Sequence, residues 1–341
     1  FLSLLEAQFY PSVRKQIALI AIDLDRFKDI NDTLGHPVGD AVLREAADRI
    51  RSALRPGDEV SRVGGDEFLV MLVGRRAEEA TAIAHNILAR FSDPFAIHMT
   101  RSICGASIGY ALARSDTTMD ALLRNADLAL YEAKKSGRGR AVEYTAELSR
   151  EYERRVALEQ DLQQALGRGE LDVVYQTIVD PRSGRAICCE ALLRWNHPEL
   201  GPIAPDVFIP IAEATGLISS IGGWVLTKAC VEATHWSSDI KVSVNLSPSQ
   251  FRQGREIIDR VSAALDESGL PPTRLDLEIT ESVFIDDNAA TLGILEELRG
   301  MRIGISLDDF GTGFASLAYL NDFPFSKVKI DRKFAQMVND S

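Results

Sequence analysis

Apolar residues fall in short blocks along this chain, and the spacing within blocks switches between that of a buried strand and that of a helix. Ile17–Leu24 is solidly apolar and runs on into an Asp-Leu-Asp end, the pattern of a buried strand whose tip meets solvent. Val42, Leu43, Ala46, Ile50 and Leu54 fall at helical spacing within Gly39–Leu54, and Pro56-Gly57 follow as a stop. Val60–Val63 and Phe68–Val73 predict two strands around a tight turn at Gly64-Gly65. A helix from about Ala77 to Phe91, a strand near Ile103–Ala111 and a helix from about Thr118 to Lys135 follow, with Gly137 where a helix end favours positive φ. The order β-α-β-β-α-β-α predicts an α/β sandwich with its acidic strand end beside the hairpin tip.

From Thr145 to Leu166 the chain turns to Glu, Arg, Gln and Leu without Gly or Pro. This stretch reads as a connecting helix or as an ordinary surface helix. Beyond it, strand-like runs at Leu171–Val179, Ala186–Leu192, Lys241–Leu246, Arg274–Ile279, Ile303–Leu307 and Lys327–Ile330 alternate with helical stretches such as Ile221–Trp236, Ile257–Ser268 and Asn288–Arg299. Such alternation predicts a largely parallel sheet, open or closed into a barrel. No internal repeat is visible.

The length of 341 residues corresponds to two domains or slightly more. With 45% hydrophobic and 26% charged residues the chain falls in the globular class, and no apolar run approaches the ~18 residues of a membrane span. The net charge of −12 opposes binding of a nucleic-acid duplex through a basic surface. An acidic protein that handles phosphates would bring divalent cations to its carboxylates. Cys104, Cys188, Cys189 and Cys230 lack CxxC spacing, which fits a reducing cytosol better than a disulfide framework or a zinc site.

Arg62-Val63-Gly64-Gly65-Asp66-Glu67-Phe68 places two acids on a hairpin tip that faces the strand end with Asp23 and Asp25. Paired glycines permit a primed turn and leave bare backbone against which a nucleotide can lie. Acids converging from separate elements repel unless a divalent cation joins them. Taken alone, Gly-Gly-Asp is an ordinary solvated turn. The wider series changes that: Asp23-Leu-Asp25-Arg-Phe-Lys28-Asp-Ile-Asn31-Asp, Gly35-His36-Pro-Val-Gly39-Asp40, the hairpin, then Ala126-Asp127-Leu-Ala-Leu-Tyr131-Glu-Ala-Lys134-Lys-Ser-Gly137-Arg138. In this order it resembles the GGDEF diguanylate cyclase family over nearly all of Phe1–Tyr144.

That resemblance implies a palm-like α/β fold related to the class III nucleotide cyclases, and condensation of two GTP into cyclic di-GMP by a homodimer. Asp23, the Leu24 carbonyl, Asp66 and Glu67 would hold Mg²⁺ or Mn²⁺, two ions per site. Asn31 and Asp40 would contact guanine, and Lys28, Lys134 and Arg138 the phosphates. Glu67 would help deprotonate the attacking 3′-hydroxyl or act purely as a metal ligand. Arg55-Pro-Gly-Asp58 matches the family's RxxD product-inhibition site, with a surface Arg/Asp pair as the plain alternative.

In the second half one polar group marks each strand end: Glu190-Ala-Leu-Leu-Arg194, Asn245-Leu-Ser-Pro, Glu278-Ile-Thr-Glu281, Asp308-Asp309-Phe-Gly-Thr-Gly313 and Lys329-Ile-Asp-Arg. Steps of 55, 33, 30 and 21 residues suit successive β-α units. Acids and amides at the C-terminal ends of parallel strands converge on one mouth, an oxygen-rich nest for Mg²⁺ or Mn²⁺. Asp-Phe-Gly is not a kinase signature here, since no Gly-rich loop or His-Arg-Asp loop accompanies it. With Tyr175-Gln176-Thr177 and Pro205-x-x-Phe208-Ile-Pro-x-Ala-Glu213, the series resembles the EAL cyclic di-GMP phosphodiesterase family, although Thr177 replaces its usual Pro.

The second resemblance implies a modified TIM barrel in which two metals assist cleavage of one phosphodiester to give pGpG. Glu190, Asn245, Glu278, Asp308 and Asp309 would be metal ligands, and Lys329 would orient water or phosphate. Gln176 and Arg194 would contact the dinucleotide, and Glu281 would anchor the loop after Asp308.

The expected organisation is a GGDEF domain over 1–144, a connecting helix over 145–168 and an EAL domain over 169–341. The family's Asp-x-Leu-Thr-Gly-Leu-x-Asn-Arg opening is absent, and the chain stops at Ser341 after a sixth strand where a barrel has eight. The expectation is therefore an incomplete barrel that does not hydrolyse cyclic di-GMP by itself, within a cytoplasmic parent that does. A missing N-terminal region of that parent would supply an upstream sensor domain or a tether to the inner membrane. The competing expectation is that one domain is a silent GTP or cyclic di-GMP sensor regulating the other.

Overall fold

The computed structural model describes residues 1–9, 16–97, 100–102, 104–284, 288–311 and 323–331. The chain divides into two compact units, Phe1–Arg154 and Arg155–Ser341.

The first unit runs α1 (Leu2–Gln8), β1 (Ile17–Leu24), α2 (Phe27–Leu34), α3 (His36–Ser52), β2 (Glu59–Gly64), β3 (Glu67–Val73), α4 (Arg75–Glu78), α5 (Ala80–Arg90), β4 (Phe95–Ile97), β5 (Thr100–Ser102), β6 (Ala106–Leu112), α6 (Met119–Lys135) and β7 (Ala141–Glu143). Its main sheet has the order β2-β3-β1-β6-β7. β1 is central, antiparallel to both β3 and β6, and all eight of its residues are buried. Side chains alternate across a strand, so β1 feeds two cores. Ala18, Ile20 and Ile22 pack with residues of α2, α3 and α5, while Ile17, Leu19 and Ala21 pack with Leu5, Leu122, Ala126 and Leu130. This is the α/β sandwich expected from the sequence.

Gly109 on β6 sets how closely α6 can lie on the sheet. A Cβ there would stand 1.9 Å from the Leu130 nitrogen and 2.4 Å from the Ala126 carbonyl oxygen, both rigid helix backbone. Gly109→Ala is expected to cost at least about 3 kcal/mol by overpacking. Urea unfolding of the first unit checks this, and an unchanged midpoint would contradict it.

α7 (Ala146–Ala165) contains the division between the units. The second unit continues with β8 (Leu171–Val179), β9 (Ala186–His197), β10 (Gly201–Ile203), α8 (Pro205–Thr215), α9 (Leu217–Thr234), β11 (Lys241–Leu246), α10 (Pro248–Phe251), α11 (Glu256–Ser268), β12 (Leu275–Thr280), α12 (Asn288–Gly300), β13 (Gly304–Phe310) and β14 (Lys327–Ile330). Strands β9, β11, β12, β13 and β14 are parallel neighbours in that order. β8 and β10 both pair antiparallel with β9, so the parallel expectation holds for the inner strands and not for these two. The six-residue link from Val179 to Ala186 explains β8, because a parallel return needs a crossover of a dozen residues or more. Among the described residues the sheet does not close into a barrel.

Candidate functional site

In the first unit the hairpin and the central strand bring the acids together. Asp23 stands opposite Glu67 in the β1–β3 register, and the Leu24 N–H donates to the Asp66 carbonyl at 3.3 Å. The turn uses one glycine and not two: Gly65 has φ 48°, whereas Gly64 ends β2 and pairs with Glu67. Arg62 Nε donates to the Gly65 carbonyl at 2.9 Å and holds the tip. Asp23 is buried, and burial raises its carboxyl above the ordinary range; Lys134 opposes this, with Nζ 2.6 Å from Oδ2, while Asp66 and Glu67 add to it. The acids therefore hold unfavourable charge that a cation would relieve.

Lys28 lies exposed in the first turn of α2, and Arg138 lies exposed in the turn after α6. Asn31 packs on Gly39, where a Cβ would approach Asn31 Oδ1 to 2.0 Å. The next residue, Asp40, lines a cavity of about 600 Å³ together with Leu43, Arg44, Arg62 and Phe68. In the Arg55-Pro-Gly-Asp58 turn, the Asp58 carboxylate accepts from the Arg55 backbone N–H at 3.0 Å and from Arg76 Nη2 at 3.0 Å. Arg76 thus fixes the aspartate and leaves the Arg55 side chain exposed. No sequence signal marked Arg76, since it meets Asp58 only through the fold.

In the second unit the parallel register aligns Asn245 with Glu278 and Thr280 with Asp308, placing successive polar groups at one end of the sheet. Carboxylate oxygens of Glu190, Glu278 and Asp308 lie within 4.8 Å of one another. Lys329 Nζ sits among them, 3.0 Å from Glu190, 2.5 Å from Glu278 and 2.8 Å from Asp308. Asn245 Nδ2 donates to Glu190 Oε1 at 2.8 Å. Burial raises the Glu278 carboxyl above its ordinary range, only partly offset by Lys329. Its Oε1 and the Ser243 hydroxyl are both buried without a well-formed hydrogen bond, although Ser243 still favours the charged form. For Lys329, burial disfavours the ammonium, but hydrogen bonds to Asp308, Glu278 and Glu190 more than offset it and hold the amine above the usual lysine range.

Asp309 has φ 52°, a left-handed conformation that costs a non-glycine residue about 1 kcal/mol. Burial raises its carboxyl, and Asp308 beside it adds to the effect. Glu281 accepts from the Gly311 N–H at 2.7 Å, and the rest of the Asp308–Gly313 loop, residues 312–313, lies outside the described residues. Gln176 pairs with Glu190 across β8 and β9 and is exposed. Arg194 lines a cavity of about 500 Å³ with Glu213, Asn245, Gln250 and Asp309.

A buried ionic layer lies one strand-pleat beneath this nest. Asp276 accepts from the Ser306 hydroxyl at 2.9 and 2.8 Å and from Lys327 Nζ at 3.2 Å. These residues stand two positions before Glu278, Asp308 and Lys329, so they share the inward face. Sequence reading missed them; the signal was the i, i+2 recurrence of polar groups within three apolar strands.

The donor set is hard oxygen, the type that suits Mg²⁺ or Mn²⁺, and the Lys329 ammonium marks a cationic position in the nest. Comparison with known proteins agrees with this chemistry. The EAL domain model matches residues 159–341, and the diguanylate cyclase GGDEF domain model matches residues 1–140. Over 333 residues the chain is 42% identical to the bifunctional diguanylate cyclase/cyclic di-GMP phosphodiesterase MucR of Pseudomonas aeruginosa, which covers 96% of this chain and 48% of that protein. It spans 39% and 40% of two further relatives, from Sinorhizobium fredii and Caulobacter vibrioides. A structure of the PaMucR phosphodiesterase in complex with c-di-GMP aligns at 46% identity and TM-score 0.52, covering 54% of this chain and 76% of that one. The S helix-GGDEF-EAL structure of Vibrio cholerae LapD aligns over 98% of this chain and 82% of its own at TM-score 0.62 and 17% identity, a likeness of fold alone. The chain belongs to the tandem GGDEF–EAL family, with a GGDEF diguanylate cyclase domain followed by an EAL domain.

Proposed function

We propose that the native protein turns over cyclic di-GMP, the first unit joining two GTP and the second opening the cyclic product to pGpG. The observation that carries this reading is the pair of acidic sites, Asp23/Asp66/Glu67 with Lys134 paired to Asp23, and Glu190/Glu278/Asp308 with Lys329 shared among the three carboxylates. In the first unit Asp23, the Leu24 carbonyl, Asp66 and Glu67 are suited to hold Mg²⁺ or Mn²⁺. In the second, Glu190, Asn245, Glu278, Asp308 and Asp309 are. Such ions, two per site, would supply charge stabilisation for phosphoryl oxygens.

The chain's own residues do the rest. Asp40 accepts from guanine at the edge of its cavity with Asn31 beside it, and Lys28, Lys134 and Arg138 balance the triphosphate. Glu67 is placed to take the proton of a 3′-hydroxyl. In the second unit Lys329 holds water or a phosphate oxygen, Arg194 and Gln176 bind the dinucleotide, and Glu281 ties down the loop after Asp308. Synthesis requires two first units to face each other, hence a homodimer, and an upstream sensor domain would set their approach. A cytoplasmic site fits the reduced cysteines.

The test is to incubate the native protein with Mg²⁺ and GTP, and separately with Mg²⁺ and cyclic di-GMP, and to resolve the products. Formation of neither cyclic di-GMP nor pGpG would refute the reading. Binding of cyclic di-GMP with only one reaction present would make the other unit a sensor.

The exposed Arg55 is the proposed inhibitory contact, with Asp58 held in place by Arg76. Arg55→Ala is expected to raise the cyclic di-GMP concentration needed for half-inhibition of synthesis by about tenfold or more, the effect of losing a charged hydrogen-bonding group. Inhibition curves of wild type and variant that superimpose would reject it.

A further inference from the structure

On the reading that the first unit binds GTP, we propose that Asp25 is a positioning residue for the phosphates. Its carboxylate latches the turn after α6, and with it Arg138, to the end of the strand that carries Asp23. Asp25 Oδ1 accepts from the Ser107 hydroxyl at 2.7 Å, and Oδ2 accepts from the Gly139 N–H at 3.1 Å. The Asp25 backbone N–H donates to the Gly105 carbonyl at 2.9 Å. Gly105 has little room for a side chain, because a Cβ there would stand 2.9 Å from Asp25 Oδ2. Three segments distant in sequence thus meet on one carboxylate.

The turn needs such support. Gly137, Arg138 and Gly139 have φ of 110°, 57° and 59°, three consecutive residues in the left-handed region, and Arg138 has no glycine's freedom there. Within the turn, the Arg138 N–H donates to the Ala133 carbonyl at 3.0 Å and closes the helix; beyond it, the Arg140 carbonyl accepts from Ile108 at 2.9 Å. Between these two, the Asp25–Gly139 bond ties the turn to β1, while Arg140 Nε donates to the Arg138 carbonyl at 3.3 Å within the turn. Together they constrain the direction in which Arg138 leaves the backbone.

Asp23 and Asp25 therefore hold the two ends of one short segment in different ways. Asp23 holds Lys134 by charge, a contact that phosphate or a cation would compete for. Asp25 accepts from the neutral backbone N–H of Gly139, so a charge that draws Lys134 away from Asp23 does not by itself break that bond. The latch persists while Lys134 changes partner, so the segment is pre-organised when the nucleotide arrives.

The sign of the expected effect separates this role from simple electrostatics. Removing a negative charge near a triphosphate would by itself tighten binding, whereas losing the latch weakens it. In the native protein, Asp25→Ala is expected to raise the KM for GTP about tenfold, with kcat changed by less than about threefold, because ground-state positioning is lost and the chemistry is not. Ser107→Ala should raise KM less, and Asp25→Asn, which keeps one acceptor oxygen, should retain most of the wild-type value. Amide hydrogen exchange is expected to accelerate at residues 136–140 in Asp25→Ala and to stay slow in β1, which shows that the variant is folded.

An unchanged or lowered KM in a folded Asp25→Ala protein would overturn the proposal, as would a fall in kcat with KM unchanged. Faster exchange at 136–140 without GTP turnover by wild type would instead overturn the cyclase reading, and the phosphate role with it, leaving a structural tether.

Discussion

Glu67→Gln in the native protein is expected to lower synthesis of cyclic di-GMP from GTP by at least about 100-fold while hydrolysis continues, and Glu190→Gln to do the reverse. Each substitution removes one carboxylate charge with almost no change of volume, so the fold is retained and the loss falls on the chemistry. Glu67 is exposed at the hairpin tip opposite Asp23. Glu190 takes one bond from Asn245 and one from Lys329, so its amide counterpart would keep part of the network and lose its charge. Product analysis after incubation with each nucleotide checks the assignment. Both variants behaving as wild type would remove these acids from the reaction.

Lys329→Met should produce the largest change in stability. The ammonium is the shared partner of Glu190, Glu278 and Asp308, and removing one member of a buried ionic cluster costs about 3–5 kcal/mol. At about 2–4 °C per kcal/mol, the melting temperature of the second unit should fall by roughly 10 °C at pH 8. The pH dependence has a definite sign. Burial already holds the Glu278 carboxyl above the ordinary glutamate range, and without the ammonium that opposes this it rises further. A carboxyl whose folded pKa exceeds the unfolded one favours folding in acid, and that stability is lost as pH rises from the unfolded value through the folded one. The variant should therefore lose less stability at pH 5 than at pH 8, and millimolar Mg²⁺ or Mn²⁺ should restore part of it at pH 8. Equal destabilisation at both pH values, with no response to either ion, would show that Lys329 does not neutralise the nest.

Much of this was legible in the sequence. The runs Ile17–Leu24, Lys241–Leu246 and Lys327–Ile330 are strands with those bounds, and the first is buried along its whole length, which is why it carries only apolar residues until its tip. The polar tips then locate the two nests. Helix α2 was not legible, since only Phe27 and Ile30 of its eight residues are buried. The direction of β8 was missed because strand-like composition says nothing of pairing sense; the short connection to β9 held that information. The Asp276–Ser306–Lys327 layer was not read at all, because its members come together only when three strands separated in sequence lie side by side. Arg76 and Asp25 act through partners 18 and 114 residues away, a distance at which local pattern is silent.

The Lys329 cluster also constrains the order in which charge can accumulate in the second unit. Glu190, Glu278, Asp308 and Asp309 set against one ammonium leave three negative charges in excess. A divalent cation entering the mouth would lower this excess, and an anionic ligand would be held there only once that excess had been cancelled.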